Sequence, residues 1–427
     1  MKSRWLWLIL VVVWLLGEGL APMRSYLWKG HRDDLERYWM YANQVVGGPV
    51  DPAKFREWNG DLSGLPAELP GLQSTRGGGK WPYQDFAMEY PPGNLPPLLA
   101  PRLLTPDLAG YRHLFGLQML GCLALACGLW RGRPGSGWLS AWAIVALGPL
   151  ALSRLDAVVA LALAAALVAA LKARPWMCGL CLGWAAAIKL TPLLMLPLFW
   201  LHFSPRPRQQ QACLAGLAVA LLLAFGPWLG APHLGVVFRY HALRPIEVES
   251  LLATPLLVYK LAGGPVDIVQ SFGSRCPRLI SGHDAFWQQL APLWPWLAWA
   301  LVMALCWQSR QRGAWSPQRL PLYLVATQLG LLVSLKVLSP QYLVTLIPLV
   351  FVLGDGWCNA LALATCALTQ LVFPHSWNAL VQGKTLAILL LFGRNALLLC
   401  LWLRTLWLIR AGPPAAPPHH SAEANPA

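Results

Sequence analysis

The sequence predicts an all-α, polytopic membrane protein with about twelve spans and a long first extracytoplasmic loop. Three observations carry that prediction. Of 427 residues, 56% are hydrophobic and only 12% charged, where soluble domains carry roughly 25% charged residues. Apolar runs recur along nearly the whole chain, many close to the ~20 residues that cross a bilayer. The 24 Trp suit aromatic belts at both interfaces. The net charge of +15 does not point to nucleic acid, because the basic residues fall in short clusters between apolar runs, as topology and anionic headgroups require.

The positive-inside rule orders the elements. Lys2 and Arg4 place the N-terminus in the cytoplasm. No small-x-small cleavage site follows, so residues 1–22 read as a retained first span, about 5–22, rather than a removed signal peptide. Residues 23–95 then form the first external loop, which holds nine of the eighteen Asp and Glu. A return span of about 108–130 ends at Arg131 and Arg133. The run 138–171 is too long for one span and is interrupted at Ser153-Arg154-Leu155-Asp156. Residues 176–203 repeat that pattern, broken at Lys189-Leu190-Thr191-Pro192, where proline supports a break.

A span of about 211–229 leads to a second external loop at about 230–287, whose 251–262 portion reads as an interfacial or re-entrant helix. The chain returns to Arg310 and Arg312 and goes out over 320–336 to Lys336-Val337-Leu338-Ser339-Pro340-Gln341-Tyr342. It comes back over 343–354, goes out again over 357–373, and finishes over 385–408. Residues 96–410 thus form the multi-span domain. The Pro-, Ala- and His-rich tail 411–427 reads as a disordered cytoplasmic segment. Most of the ten Cys lie in apolar runs as small core residues, and Cys178-x-x-Cys181 lacks a second ligand pair, so no metal site is expected.

The sidedness brings the candidate residues together. Arg131, Arg133, Lys172, Arg174, Arg206, Arg208, Arg310 and Arg312 fall on one side. On the other, at the loops and helix breaks, fall Asp34, Asp85, Glu89, Arg154, Asp156, Lys189, Arg239, His241, Arg244, Glu247, Glu249, Lys336, Gln341 and His375, a mixed-sign set. Ionisable groups at membrane depth are functional candidates by default.

In a helix, Asp34 and Tyr38 share a face at i, i+4. One of Asp33 and Asp34 then serves catalysis while the other caps the helix. Asp85 and Glu89 are candidate catalytic carboxylates, with Glu89 equally able to pair an Arg structurally. Tyr90-Pro91-Pro92 forces an extended approach to the next element. Arg154 and Asp156 read either as loop-stabilising ion pairs or as substrate contacts. Lys189 reads as a contact to an anionic headgroup. Arg239, His241 and Arg244, preceding Glu247 and Glu249, suit a phosphate-binding cluster.

In this order, the motifs resemble glycosyltransferase family 87, the polyprenol-phosphate-sugar-dependent membrane enzymes of the GT-C class. The matching stretches are Asp34-Leu35-x-x-Tyr38 with Gly47 and Pro49, Pro82-Tyr83-x-Asp85-Phe86-x-x-Glu89-Tyr90-Pro91-Pro92, Arg154-Leu155-Asp156, Ala187-Ile188-Lys189-Leu190-x-Pro192, Leu196-Pro197, Arg244-x-x-x-Val248-Glu249-Ser250 and Ser339-Pro340-Gln341-Tyr342. They span roughly residues 30–350, and Gly48–Trp81 looks like an insertion.

The resemblance implies a GT-C-like helical bundle and an inverting hexosyltransferase in the membrane of a bacterial envelope. It also implies a polyprenol-phosphate-linked sugar donor, often mannose, and a lipid or glycan acceptor. The family's catalytic carboxylate falls on Asp34, with Asp85 and Glu89 beside it. Arg154, Asp156, Lys189, Arg239, His241, Arg244, Glu249, Lys336, Gln341 and Tyr342 become candidate substrate contacts. No Asp-x-Asp motif or ATP loop is visible, so neither a metal nor another cofactor is expected.

The bare chemistry agrees, since inverting transfer needs one base for the acceptor hydroxyl and cations for the leaving phosphate. The alternative from another class is a secondary transporter or flippase for a lipid-linked sugar. It predicts repeat symmetry and a midplane site, and no internal repeat stands out. A non-catalytic scaffold for envelope assembly is a third reading.

Overall fold

The computed structural model describes residues 32–50, 80–130, 132, 135–271 and 274–412. The first span expected at 5–22, the side chain of Asp33, most of the insertion after Gly48, Arg131 and Arg133, and the tail beyond 412 lie outside the described residues.

The longer helices are α1 (Arg32–Val45), α2 (Leu95–Leu104), α3 (Leu108–Gly128), α4 (Ser136–Leu147), α5 (Asp156–Leu171), α6 (Pro175–Ile188), α7 (Leu196–Phe203), α8 (Pro207–Phe225), α9 (Val236–Leu243), α10 (Thr254–Leu261), α11 (Trp294–Gln311), α12 (Leu320–Ser334), α13 (Gly356–Gln370) and α14 (Thr385–Ala411). The exception to the all-α expectation is a hairpin in the second loop. Strands β1 (Val266–Ser271) and β2 (Ser274–Leu279) pair antiparallel, with Val266 opposite Leu279 and Val269 opposite Cys276.

Four helices are long and apolar enough to cross a membrane: Pro207–Trp228, Ala285–Gln311, Gly356–His375 and Thr385–Ala411. The other apolar helices are shorter, as in Ser136–Ala151, Asp156–Leu171 and Pro175–Ile188. At 1.5 Å per residue, such helices fall short of a ~30 Å hydrocarbon core. The described residues therefore show a helical membrane protein with four full-length candidate spans, against the twelve spans expected.

The breaks nonetheless fall where the polar residues interrupt the apolar runs. The 138–171 run divides into α4 and α5 at a 3-10 turn, Gly148–Ala151. The 176–203 run divides into α6 and α7 where Lys189 turns extended (φ −148°, ψ 122°) and Thr191–Met195 winds as 3-10.

The core is built around α5, whose Ala-rich sequence lets α3 and α6 approach closely, and around α12, which is buried along its whole length. Helices α6 and α8 pack through small residues, the usual device for close helix approach in membranes. A Cβ added at Gly179 would meet the Cys213 carbonyl, and one at Gly183 would lie 2.7 Å from the Ala220 Cβ. On the other side, α14 packs against α12 and α13.

Candidate active site

Loops and helix breaks from eight stretches of the chain surround one chamber of about 870 Å³. Helix α1 supplies Asp34, Arg37 and Tyr38, which a helical spacing of three and four places on one face. The Asp34 carboxylate pairs with the Arg154 guanidinium, which rises from the buried turn between α4 and α5. Arg37 donates to Glu89 at 2.7 Å. Tyr38 is buried and meets Tyr90 edge-on, with ring centroids 5.4 Å apart.

The Pro-rich approach is fixed by its backbone. Pro91 is extended (φ −61°, ψ 157°) and Pro92–Asn94 winds as 3-10. The Asn94 side-chain amide donates to the Ile188 carbonyl at 2.7 Å, closing the C-terminal end of α6. There Lys189 leaves the helix and reaches Asp156 at 2.5 Å, while its ammonium lies 3.3 Å from the centre of the Tyr342 ring. A residue pair 33 apart in sequence is thus joined at two helix breaks.

The second loop closes another wall. Helix α9 contributes Tyr240 and His241, and Arg244 follows it. Residues 245–247 lead without regular structure into a turn at 248–249, which lies between two neighbours. The Glu247 N–H donates to the Lys336 carbonyl at 2.8 Å and the Val248 N–H to the Arg275 carbonyl at 2.7 Å. Arg244 pairs with Ser274 and sits 3.8 Å from Glu247. At the base, the fully buried Arg394 of α14 donates to the Glu249 carbonyl at 3.0 Å and lies 3.5 Å from its carboxylate.

The carboxylates differ electrostatically. Burial opposes ionisation of Glu89, but Arg37, its hydrogen bond and Arg244 outweigh this and hold the carboxyl below its ordinary range. Glu247 is shifted up by burial, against the pull of Arg244. Glu249 is pushed up to about 8 by burial, with Arg394 opposing and Glu247 adding to the rise. The Asp34 side chain is the most accessible, 29% exposed against 8% for Glu89, 10% for Asp156, 7% for Glu247 and 2% for Glu249.

Of the residues singled out in the sequence, Asp34, Glu89, Arg154, Asp156, Lys189, His241, Arg244, Glu249, Lys336, Gln341 and Tyr342 line this chamber. Two do not. Asp85 accepts the Trp81 N–H at 2.6 Å and returns its own N–H to the Trp81 carbonyl, so it closes a local turn, and no wall of the chamber includes it. That turn packs on Trp228 through Trp81 and Tyr83. Arg239 is exposed on the far part of α9 and is absent from the lining.

Arg37, Arg275 and Arg394 escaped the sequence reading. Arg37 and Arg275 sit among ordinary loop polarity and carried no signal. Arg394 did carry one, as a charge in the first half of the apolar run of α14, well before Arg404 and Arg410.

A helical membrane protein whose broken helices and loops enclose one chamber of mixed charge is the class that fold and site define. The glycosyltransferase family 87 model matches residues 88–340. The chain belongs to this family and is a membrane glycosyltransferase. The matched region starts one residue before Glu89 and includes Arg154 to Pro340, while α1 with Asp34 lies N-terminal to it. Among curated proteins, none matches the chain.

Proposed function

We propose that this multi-pass membrane enzyme moves a sugar, with mannose favoured, from a polyprenol-phosphate donor to a lipid or glycan acceptor on the extracytoplasmic face, with inversion. Asp34 is the general base. The acceptor hydroxyl oxygen attacks the anomeric carbon as its proton passes to the Asp34 carboxylate. The bond between the anomeric carbon and the phosphate oxygen breaks, and the electron pair leaves on the lipid phosphate. Hydrogen-bonding cations such as Lys189, Arg244 and Lys336 offset that charge.

The observation that carries this reading is the contrast between Asp34 and the other chamber carboxylates. Glu89, Asp156, Glu247 and Glu249 are at most 10% exposed and each has a nearby cation. Asp34 is held by Arg154 from one side and keeps an accessible edge facing the chamber. A base needs both a fixed orientation and room for the hydroxyl it deprotonates. Transfer requires one such carboxylate, without the pair that a glycosidase uses.

The test is reconstitution in vesicles with a polyprenyl phosphate carrying radiolabelled mannose and a crude envelope-lipid acceptor fraction. Donor-dependent labelling of an acceptor, with opposite anomeric configuration in donor and product, supports the proposal. Uptake of label without covalent change would replace it with transport.

A further inference from the structure

Most charges in the chamber are matched. Asp34 faces Arg154, Glu89 faces Arg37, Asp156 faces Lys189, Glu247 faces Arg244 and Glu249 faces Arg394. Arg275 and Lys336 also line the chamber, yet neither has a carboxylate partner among the described residues.

The backbone explains why these two cations act at one place. The successive N–H groups of Glu247 and Val248 are divided between two neighbours, one donating to the Lys336 carbonyl and the other to that of Arg275. Adjacent N–H groups of one short segment thus hold both backbones. Two long cationic side chains anchored this way, both lining the chamber, can converge on a small anion.

Arg244 adds to the cluster, because it bonds Ser274, next to Arg275, and its buried Nε has no hydrogen-bond partner. Lys336 spends one of its three donors on the Ala242 carbonyl, at 2.7 Å. Two carboxylates act on Arg244, Glu247 at 3.8 Å and, farther off, Glu89, and burial pushes the Glu247 carboxyl above its ordinary range. Gathering like charges without an anion is unfavourable.

The surroundings say what carries that anion. Leu335 and Val337 flank Lys336 on the chamber wall, and Phe373 and Trp377 line it as an aromatic pair 5.3 Å apart. A charged head beside an apolar and aromatic wall suits a phosphate with a long hydrocarbon attached.

From this juxtaposition we infer that Arg275 of the hairpin and Lys336 form the docking site for the phosphate of a prenyl-phosphate donor. The inference rests on the proposed lipid-phosphate donor and assigns the residues that hold it.

The experiment measures binding of a fluorescent prenyl monophosphate to the full chain in nanodiscs of zwitterionic lipid. The matched prenyl alcohol and inorganic phosphate are separate arms. Arg275→Gln and Lys336→Gln should each weaken prenyl-phosphate binding by about tenfold or more, as loss of a charged hydrogen bond implies. Both should leave the alcohol unaffected, and Arg275→Lys should recover part of the loss.

Unchanged prenyl-phosphate affinity in both variants would overturn the inference. So would equal losses for phosphate and alcohol, the mark of a damaged fold. An Arg275 dependence seen with inorganic phosphate but not with the prenyl phosphate would also overturn it, because the site would then belong to a free anion. Transfer that still fails in Asp34→Asn, beside donor binding indifferent to Arg275, would leave the proposed reaction standing and remove this site alone.

Discussion

Arg154 reaches from the buried turn between α4 and α5 to grip the Asp34 carboxylate, so one ion pair ties the loop helix α1 to the helical core. The Arg154 side chain is 5% exposed and that of Asp34 29%. The buried partner is the fixed one, and the carboxylate is oriented by it. A carboxylate set in this way has its lone pairs aimed before substrate arrives, as the proposed general base requires.

Asp34→Asn keeps the shape and hydrogen-bonding capacity but removes the base. Transfer should fall by ~10²–10⁴-fold, while the protein still inserts and elutes as the wild type in detergent. Arg154→Gln should lower turnover less, since Asp34 remains present but loses its orientation. Near-wild-type turnover in Asp34→Asn would remove Asp34 from the chemistry.

The Arg37–Glu89 pair predicts a pH dependence of stability whose sign can be worked out. Glu89 has a folded-state pKa below its ordinary value, so its ionised form stabilises the fold. That contribution is present above the unfolded carboxyl pKa of ~4.3 and is lost as pH falls through the lower folded value. In Arg37→Met the burial contribution meets only the smaller pulls of Arg244 and the Tyr90 hydrogen bond, and the shift should reverse. Stability should then fall as pH rises through the carboxylate range and beyond. Breaking such a pair costs ~3–5 kcal/mol. Thermal unfolding followed by Trp fluorescence between about pH 2 and pH 8 measures both slopes, and parallel curves for the two proteins would refute the assignment.

Lys189 and Asp156 make the same argument inside the chamber. Lys189→Met leaves Asp156 with an uncompensated charge, and Asp156→Asn does the converse to Lys189. Each should destabilise more than the double variant, because joint replacement removes the unpaired charge that each single change creates. Strictly additive unfolding free energies would show that the 2.5 Å contact carries no coupling.

Close packing of α6 on α8 gives a prediction independent of the chemistry. Gly179→Leu drives a side chain into the Cys213 backbone, and overpacking of this kind costs ~1–3 kcal/mol or more. The detergent melting temperature should drop. Gly121→Leu on α3, where an added Cβ meets nothing within 4 Å, serves as the control and should melt like wild type.

Much of the chamber was readable because charge inside an apolar run is expensive and has to find a partner. Arg154, Asp156 and Lys189 each interrupt such a run, and the structure joins Lys189 to Asp156 across two helix breaks and Arg154 to Asp34 of α1. The breaks themselves were readable for the same reason. Asp85 and Arg239 misled because a polar residue in a polar loop has many inexpensive fates. Asp85 satisfies a turn four residues away, and Arg239 faces outward. The hairpin that carries Arg275 is six residues per strand, too short for its alternation to stand out. The span count was harder to read, since hydropathy marks apolar runs but not whether a helix continues straight through one.

The membrane topology can be tested with what the structure says about native thiols. Cys127, Cys178, Cys213, Cys276, Cys306, Cys358 and Cys366 are buried, Cys122 and Cys181 are half-buried, and Cys400 is exposed. A Cys400→Ser background therefore keeps the buried core thiols intact and leaves little that an impermeant maleimide can reach. Gln84 and Arg312 are both exposed, and the positive-inside rule sets them on opposite sides, with Arg312 cytoplasmic. In sealed, right-side-out vesicles, Gln84→Cys should label at once, and Arg312→Cys only after permeabilisation. Labelling of both from outside would place the Arg310–Arg312 cluster and the chamber on the same face. The reaction would then lose its assignment to the extracytoplasmic side.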